Sequence, residues 1–259
     1  MIPKVIHLCW LSGDKYPALV QQCIDSWKRV LPDFEIKKWD SNSFDFASVP
    51  FVKQAYENKQ WAFVSDYIRL YAIYTEGGIY LDSDVMVYQR FDEWLNYSFF
   101  TAIEKRTLPY IGFWMEAAIM ASEPGNPMIK EIMGHYEHTN FIDENDRMIR
   151  TPAPDIYTPI FCKHYGWKPG EGKALLKDNV VVFGADEITS TQYPLKPTVR
   201  LYHCNNMSWI PLSPFHRFCK KFGLMSFYNK LAKLNRDKDG NYRISLTRVC
   251  RKIKGQPLY

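Results

Sequence analysis

The sequence predicts an α/β fold, and three observations support this class. A strand-like segment at 3–10 is followed by a helical pattern at 17–31 and an alternating segment at 34–39. Strand, helix, strand is the order typical of a parallel α/β sheet. A second, strongly apolar helix pattern at 60–76 then leads into another short apolar strand. At 259 residues, we expect one such domain and an appendage.

The first three elements follow from local patterns. Val5-Ile-His-Leu8 forms the apolar centre of the first strand, and Gly13 and Pro17 mark the loop after it. The next segment places its apolar residues at helical spacing, on one side of a predicted helix. These residues are Leu19, Cys23, Ile24 and Trp27. The following segment, Phe34-Glu-Ile-Lys-Lys-Trp39, alternates as a half-buried strand does.

The segment from Gln60 to Glu76 predicts a long, well-buried helix. Gly77-Gly78 ends it, as glycine commonly does at a helix C-terminus. A short buried strand, Ile79-Tyr-Leu81, follows at once and leads into Asp82-Ser-Asp84. Later strands are expected at 179–183 and 199–204.

Composition narrows the class of protein. The chain is 46% hydrophobic and 24% charged, which is ordinary for a folded domain. No apolar run reaches the roughly 18 residues that would cross a bilayer, and the N-terminus lacks a signal-peptide pattern. The six cysteines are scattered without a Cys-x-x-Cys pair, which favours reduced thiols over a disulfide framework or a zinc site. We therefore expect a cytoplasmic protein.

Charge is segregated along the chain. Residues 216–259 hold twelve basic and two acidic residues, a net charge of +10, whereas the preceding part holds 21 basic and 26 acidic residues, a net of −5. We predict a catalytic domain at 1–214 and a basic, aromatic-rich helical tail at 215–259. The tail either docks on an anionic membrane surface or packs on the body with a solvated basic face. Nucleic-acid binding is not expected.

Asp82 and Asp84 form the chemically most informative pair. In an extended chain, residues i and i+2 project on the same face, about 6.5–7 Å apart. Two carboxylates placed in this way can share a hard divalent cation, which in turn binds a diphosphate. A bare Asp-x-Asp is also common in solvated turns, so the surrounding residues decide between the two.

The surrounding residues form an ordered set of motifs. Ser65-Asp66-x-x-Arg69 lies on the long helix, and Gly77-Gly-Ile-Tyr80 leads into the Asp-x-Asp. This stretch resembles the sugar-binding region of glycosyltransferase family 32, most closely its bacterial capsular-polysaccharide branch. The resemblance implies a GT-A fold, which is a Rossmann-like nucleotide-diphospho-sugar transferase fold, and transfer that retains the anomeric configuration.

Two further motifs extend the resemblance over roughly residues 2–209. Ile2-Pro-Lys-Val-Ile-His-Leu-Cys-Trp10 is similar to the family's opening strand. Tyr202-His203-Cys-Asn-Asn-Met-Ser208-Trp209 is similar to its closing motif. Thr151-Pro-Ala-Pro154 follows the family's Thr-x-Pro element only loosely, and the tail is not covered.

The resemblance assigns roles to the motif residues. Asp66 would accept hydrogen bonds from donor-sugar hydroxyls, and Arg69, three residues later on the same helical face, would hold that carboxylate or the diphosphate. Together with Asp82 and Asp84 these form the expected catalytic set. Tyr80 is expected among the donor-binding residues.

The same resemblance places a metal site and a phosphate site. Asp82, Asp84 and His203 would ligate the metal, because an imidazole nitrogen suits Mn²⁺ as a third protein ligand. Ser208 and Trp209 carry donors that could stabilise the charge growing on the β-phosphate as the nucleotide leaves.

Four further residues are candidate contacts for the nucleotide or the acceptor. His7 and Trp10 end the first strand, where ligands bind in open α/β sheets. Trp10 either stacks on the nucleotide base or is buried in the core. Glu104 and Asp155 are candidate contacts on the acceptor side.

The expected function is therefore a retaining, Mn²⁺-dependent hexosyltransferase, with Mg²⁺ as the alternative ion. A UDP-sugar donor is favoured over a GDP-sugar, and the acceptor is expected to be a glycan or a lipid-linked glycan in capsular or other cell-surface polysaccharide synthesis. The enzyme would be cytoplasmic, at the inner face of the membrane.

Two other functions compete with this one. Phosphatases of the haloacid-dehalogenase type also place an Asp-x-Asp after an apolar strand, but they need a further acidic pair and a lysine downstream, and no clear second acidic motif follows residue 84. A non-catalytic glycan-binding module is the other alternative, for which a complete metal and diphosphate constellation would be superfluous.

Overall fold

The computed structural model describes residues 1–106, 112–190 and 195–205. Ser208, Trp209 and the whole basic tail lie outside the described residues. Their roles, and the division of the chain at residue 214, stay predictions.

Ten strands and five α-helices form the described part of the chain. The strands are β1 (Val5–Cys9), β2 (Glu35–Trp39), β3 (Gly78–Leu81), β4 (Val85–Val87), β5 (Phe99–Arg106), β6 (Gly112–Ser122), β7 (Ala174–Leu176), β8 (Val180–Phe183), β9 (Ile188–Thr189) and β10 (Leu201–His203). The helices are α1 (Ala18–Val30), α2 (Pro50–Glu57), α3 (Trp61–Thr75), α4 (Pro127–Glu137) and α5 (Ala153–Tyr165). No helix among the described residues has the length and apolar character required to cross a membrane.

Seven strands form a mixed sheet in the order β2-β1-β3-β6-β5-β8-β7. β1 pairs in parallel with both β2 and β3, as the strand–helix–strand pattern predicts. β6 is antiparallel to β3 and β5, while β5 and β8 are parallel. A smaller sheet, β4-β10-β9, carries the chain away from the end of β3. This architecture confirms the predicted α/β class.

Each face of the main sheet packs against its own hydrophobic core. Helices α2 to α5 cover one face, and α1 together with the smaller sheet covers the other. Because side chains alternate along a strand, Tyr80 joins the core beneath α3, whereas its neighbours Ile79 and Leu81 join the core beneath α1. Tyr80 is thereby directed toward the helix that carries Asp66 and Arg69.

The turn from α3 into β3 depends on glycine. Helix α3 ends at Thr75, with Glu76 as its C-cap, and both Gly77 and Gly78 have positive φ, +69° and +98°. A Cβ added to Gly78 would lie 2.6 Å from the carbonyl oxygen of Val5. Glycine is therefore required both by the backbone conformation and by the close approach of β1, which confirms that the pair stops the helix.

Strand β6 is much longer than β3 and extends beyond it. Only its second half pairs with β3, where Leu81 faces Ile119. β5 pairs along both parts of β6, and the first part of β6, from Gly112 to Met115, passes the point where β3 ends. The β5–β6 pair thus brings additional side chains to the edge of the sheet at which the Asp-x-Asp lies.

Candidate active site

The Asp-x-Asp motif lies in a turn between β3 and β4. Strand β3 ends at Leu81, and the Val85 amide donates to the Asp82 carbonyl oxygen at 3.0 Å. The expectation that an extended strand presents both carboxylates is therefore wrong. The turn folds the chain back on itself and brings the carboxylates closer than the strand spacing would.

Strand β10 brings His203 to this turn. β10 is antiparallel to β4, with His203 opposite Val85, and the Cys204 amide donates to the Asp84 carbonyl oxygen at 3.0 Å. His203 Nε2 lies 3.5 Å from Asp84 Oδ1. One potential ligand atom from each of Asp82, Asp84 and His203 lies within 4.8 Å of the others. The structure thus gathers the three residues that were expected to bind metal.

Two side chains hold the Asp82 carboxylate in place. The Tyr80 hydroxyl donates to Asp82 Oδ1 at 2.6 Å, and Arg69 Nη2 lies 3.5 Å from the same oxygen. The Arg69 guanidinium packs over the Tyr80 ring, 4.7 Å from its centroid. Tyr80 is 1% exposed, so it supports Asp82 from beneath instead of presenting itself to a donor.

Arg69 connects three elements through one guanidinium group. On α3, its Nε donates to the Ser65 carbonyl oxygen, and Nη2 pairs with Asp66 at 2.9 Å. Its Nη1 donates to the Ala117 carbonyl oxygen of β6 at 2.7 Å. Arg69 is 5% exposed. Of the two roles expected for Arg69, these contacts support holding the carboxylates over binding the diphosphate.

Asp66 is a buried carboxylate directly behind the Asp-x-Asp. Burial raises its pKa to about 7, although Arg69 opposes the shift. The Tyr157 hydroxyl of α5 donates to the Asp66 carbonyl oxygen at 2.6 Å, which fixes this turn of α3. A carboxyl group that titrates near neutrality can serve as either a donor or an acceptor toward a sugar hydroxyl.

His7 has a structural place in the fold. No part of its side chain is exposed. Trp39 Nε1 donates to Nδ1 at 3.1 Å, so the proton lies on Nε2, which donates to the Gly77 carbonyl oxygen at 2.8 Å. The expectation that His7 contacts a nucleotide is therefore wrong: both ring nitrogens are used to fasten β1 and β2 to the glycine turn.

Trp10 follows β1 at the same edge of the sheet and is only partly buried. Its indole N–H donates to the Asp14 carbonyl oxygen at 2.7 Å, and its ring meets Tyr16 edge-on at 4.9 Å. Neither contact rules out stacking on a base, so this role stays a prediction.

The β5–β6 pair supplies polar groups beside the turn that holds Asp82 and Asp84. Arg106 connects the two candidate acceptor contacts, with 2.6 Å from Nε to Glu104 and 2.5 Å from Nη1 to Asp155. Its guanidinium packs over the Trp114 ring at 4.6 Å. Burial, followed by the nearby Glu116, raises the pKa of Glu104 to about 7. Arg106 and Trp114 were not identified from the sequence.

Glu116 is the buried residue that sequence reasoning missed. It is 5% exposed, and its Oε2 lies 3.5 Å from His203 Nδ1. Burial by itself lowers the pKa of His203, but Glu116 and Asp84 raise that pKa well above its usual range. The available signal was a single acidic residue inside the apolar run from Met115 to Ala121.

Comparisons with known proteins agree with this site. Residues 17–101 match the family model of the glycosyltransferase sugar-binding region containing the DXD motif. The chain is 28% identical over 139 residues to inositol phosphoceramide mannosyltransferase 3 of Schizosaccharomyces pombe, a match covering 51% of this chain and 36% of that protein. It is 24% identical over 235 residues to the uncharacterized glycosyltransferase L373 of Acanthamoeba polyphaga mimivirus, covering 86% and 88%.

Solved structures similar to the chain include the galactosyltransferase LgtC, in a complex with donor and acceptor sugar analogues. The identity is 16%, the TM-score is 0.47, and the match covers 87% of this chain and 94% of that one. The PaToxG glycosyltransferase is 18% identical, with a TM-score of 0.45 and coverage of 63% and 70%. The match of residues 17–101 to the DXD region supports a glycosyltransferase similar to those of family 32.

Proposed function

We propose that this glycosyltransferase is metal-dependent and retaining, and that it moves a hexose from a nucleotide-sugar donor to a glycan or glycolipid acceptor. The observation that carries the proposal is the convergence of Asp82, Asp84 and His203, with ligand atoms within 4.8 Å of one another. The Asp66–Arg69 pair lies immediately behind them.

The side chains at this point fit a divalent cation. Two carboxylate oxygens and one imidazole nitrogen form a mixed set, which suits Mn²⁺ better than the harder Mg²⁺. Tyr80 and Arg69 both contact Asp82 Oδ1 and so hold the carboxylate in one orientation. When bound, the ion would neutralise charge on the diphosphate and so make the nucleotide a better leaving group.

The protein's own residues then position the donor. Asp66 shares the Arg69 guanidinium with Asp82 and is proposed to bind hydroxyls of the transferred sugar. Ser208 and Trp209 are proposed to bind the β-phosphate, and Trp10 the base. With no covalent nucleophile proposed, catalysis consists of positioning and electrostatic stabilisation of the leaving group.

The donor and acceptor remain part of the proposal. A UDP-sugar is favoured over a GDP-sugar, and mannosyl donors belong in any test because one relative is named as a mannosyltransferase. The name of that relative also supports a lipid-linked acceptor. Glu104 and Asp155, joined by Arg106, are proposed to face the acceptor, in capsular or other cell-surface polysaccharide synthesis at the inner membrane face.

A nucleotide-sugar panel tests the proposal. Thermal shift with and without Mn²⁺ should identify a stabilising donor, and transfer or slow hydrolysis of that donor should stop in excess chelator. Asp84→Asn should lose this activity and keep its fold, whereas Asp186→Asn, at an exposed carboxylate paired with Lys196, should not. The anomeric configuration of the product, read by NMR, tests retention.

Three results would contradict the proposal. They are full activity of Asp84→Asn, full activity in chelator, and hydrolysis of simple phosphate monoesters in place of nucleotide sugars. The last would favour the phosphatase alternative.

A further inference from the structure

Glu116 and His203 form a buried acid–imidazole pair on the side of the site away from the turn that holds Asp82 and Asp84. The two ring nitrogens of His203 face opposite ways: Nε2 lies 3.5 Å from Asp84, and Nδ1 lies 3.5 Å from Glu116 Oε2. The side chains of His203 and Glu116 are 14% and 7% exposed. The nitrogen that faces the Asp-x-Asp is therefore Nε2, and the nitrogen that faces Glu116 is Nδ1.

Nδ1 is a buried polar atom that lacks a hydrogen-bond partner among the described residues. Its distance to Glu116 is that of an ion pair, and no hydrogen bond to Nδ1 is formed within the described ranges. A buried ring nitrogen without a partner costs free energy. Glu116 Oε2 is the carboxylate oxygen facing it at 3.5 Å, so a small rotation of the His203 ring would make the bond.

The other carboxylate oxygen of Glu116 already accepts a hydrogen bond. Oε1 accepts the Ala118 amide N–H at 3.0 Å, which fixes the carboxylate on β6 and leaves Oε2 directed at His203. Thr101 contributes to the same rigidity, because its hydroxyl donates to the Glu116 carbonyl oxygen at 2.8 Å. The acceptor that Nδ1 needs is therefore held in place by the sheet.

We propose that Glu116 is a positioning residue for the metal site: it accepts the Nδ1–H of His203 and so directs Nε2, the nitrogen that gives up its proton when a metal binds, at the space between Asp82 and Asp84. The inference rests on the proposed function, in which His203 is a metal ligand. Carboxylates commonly orient ligating histidines through the second ring nitrogen and increase their basicity.

The substitution Glu116→Gln tests the proposed role of Glu116. If the amide oxygen keeps the Ala118 N–H, the amide NH₂ group faces Nδ1. A donor at that position makes Nδ1 the acceptor and moves the proton to Nε2, where it blocks metal binding. The change is isosteric, so a loss of affinity does not arise from a cavity.

The experiment is calorimetric titration of the full chain with MnCl₂ in the absence of donor. Glu116→Gln should weaken Mn²⁺ binding by about 10–100-fold, the usual effect of losing such a partner, while Glu116→Asp, which keeps the charge, loses less. Glu131→Gln is the matched control, because Glu131 makes a carboxylate–histidine contact with His164 at 2.6 Å on α4 and α5; its affinity should equal that of wild type.

Asp84→Asn, measured in parallel, distinguishes a failure of the role of Glu116 from a failure of the metal site. Folded Glu116→Gln that binds Mn²⁺ as tightly as wild type, while Asp84→Asn does not, overturns the role of Glu116 alone. Unchanged binding in both variants overturns the metal site itself. Should Glu116→Gln not fold, wild-type crystals grown with Mn²⁺ decide: Nδ1 within hydrogen-bond distance of Glu116 supports the inference, and Nδ1 bonded to another acceptor overturns it.

Discussion

At the scale of single residues, the orientation of the Asp82 carboxylate depends on the buried Tyr80. We predict that Tyr80→Phe removes the 2.6 Å hydrogen bond to Asp82 but keeps the ring beneath Arg69. Metal affinity should fall by about 10–100-fold, as for other groups that orient a ligand, with a stability loss of only about 1 kcal/mol.

Titration calorimetry and a denaturant melt measure both quantities for Tyr80→Phe. Tyr56→Phe on α2 removes a hydroxyl that has no place in the site and serves as the control. Metal affinity equal to that of wild type in Tyr80→Phe would show that the hydroxyl has no orienting role.

The buried side chain of His7 should make the stability of the fold depend on pH. Burial lowers its pKa below 6.5, so the folded protein keeps the ring neutral while the unfolded chain takes up a proton. The free energy of unfolding should therefore fall as pH drops below about 6.5, at no more than about 1.4 kcal/mol per pH unit, until the folded pKa is reached. Glu35, Lys37 and Glu76 are the charged groups around it.

Urea denaturation between pH 8 and 5 tests this. His7→Gln can keep one donor and one acceptor without titrating, so its stability should be lower overall but flatter with pH in this window. His138→Gln, at an exposed histidine, should follow the wild-type curve. An unchanged slope in His7→Gln would place the acid sensitivity elsewhere.

At the scale of secondary-structure elements, Arg69 fastens α3 to β3 and β6. We predict that Arg69→Met costs about 3–5 kcal/mol of stability, because it leaves Asp66 buried without its partner. Arg90 makes comparable contacts with Asp33 and Asp92, but its side chain is 43% exposed.

Arg90→Met is therefore the matched control, and its free energy of unfolding should stay close to that of wild type in the same denaturant titration. Equal losses in the two arginine variants would show that burial does not set the strength of the Arg69 contacts.

The α3–β3 turn gives a second prediction at this scale. Gly78→Ala should destabilise the fold both through its positive φ and through the 2.6 Å approach of Val5. Gly125 also has positive φ, +76°, but nothing lies within 4 Å of an added Cβ. Gly125→Ala should thus lose only the conformational part, on the order of 1 kcal/mol, and a loss in Gly78→Ala no larger than this would contradict the steric argument.

At the scale of the whole molecule, the segregation of charge predicts membrane attachment through the tail. With a net charge of +10 in residues 216–259, each basic residue near an anionic surface contributes about 1 kcal/mol. Binding should weaken with salt, and the aromatic residues of the tail should add a salt-resistant part.

Co-sedimentation with anionic and neutral vesicles at low and high salt measures this attachment. A chain ending at Pro214 should lose binding to anionic vesicles. Equal binding to both kinds of lipid, or no loss on truncation, would assign the basic tail another purpose, such as packing on the body.

Local sequence determined the elements whose signals are local. The helices at 18–30 and 61–75, the parallel pairing of β1 and β2, and the glycine stop were all predictable, because periodicity and backbone restriction act within a few residues. The Asp66–Arg69 pair belongs to this group, since helix geometry alone places residues three apart on one face. The family resemblance added His203 through a motif.

Tertiary structure decided what depends on long-range pairing. The turn at Asp82 and Asp84, the hydrogen bonds of His7, and the approach of Glu116 to His203 all follow from register between distant strands. Strand register is set by which faces can be buried together, and no local pattern around Glu116 specifies that β6 passes the end of β3. The motif residues of the site could therefore be predicted from the sequence. The groups that orient those residues were determined only by the packing of the sheet.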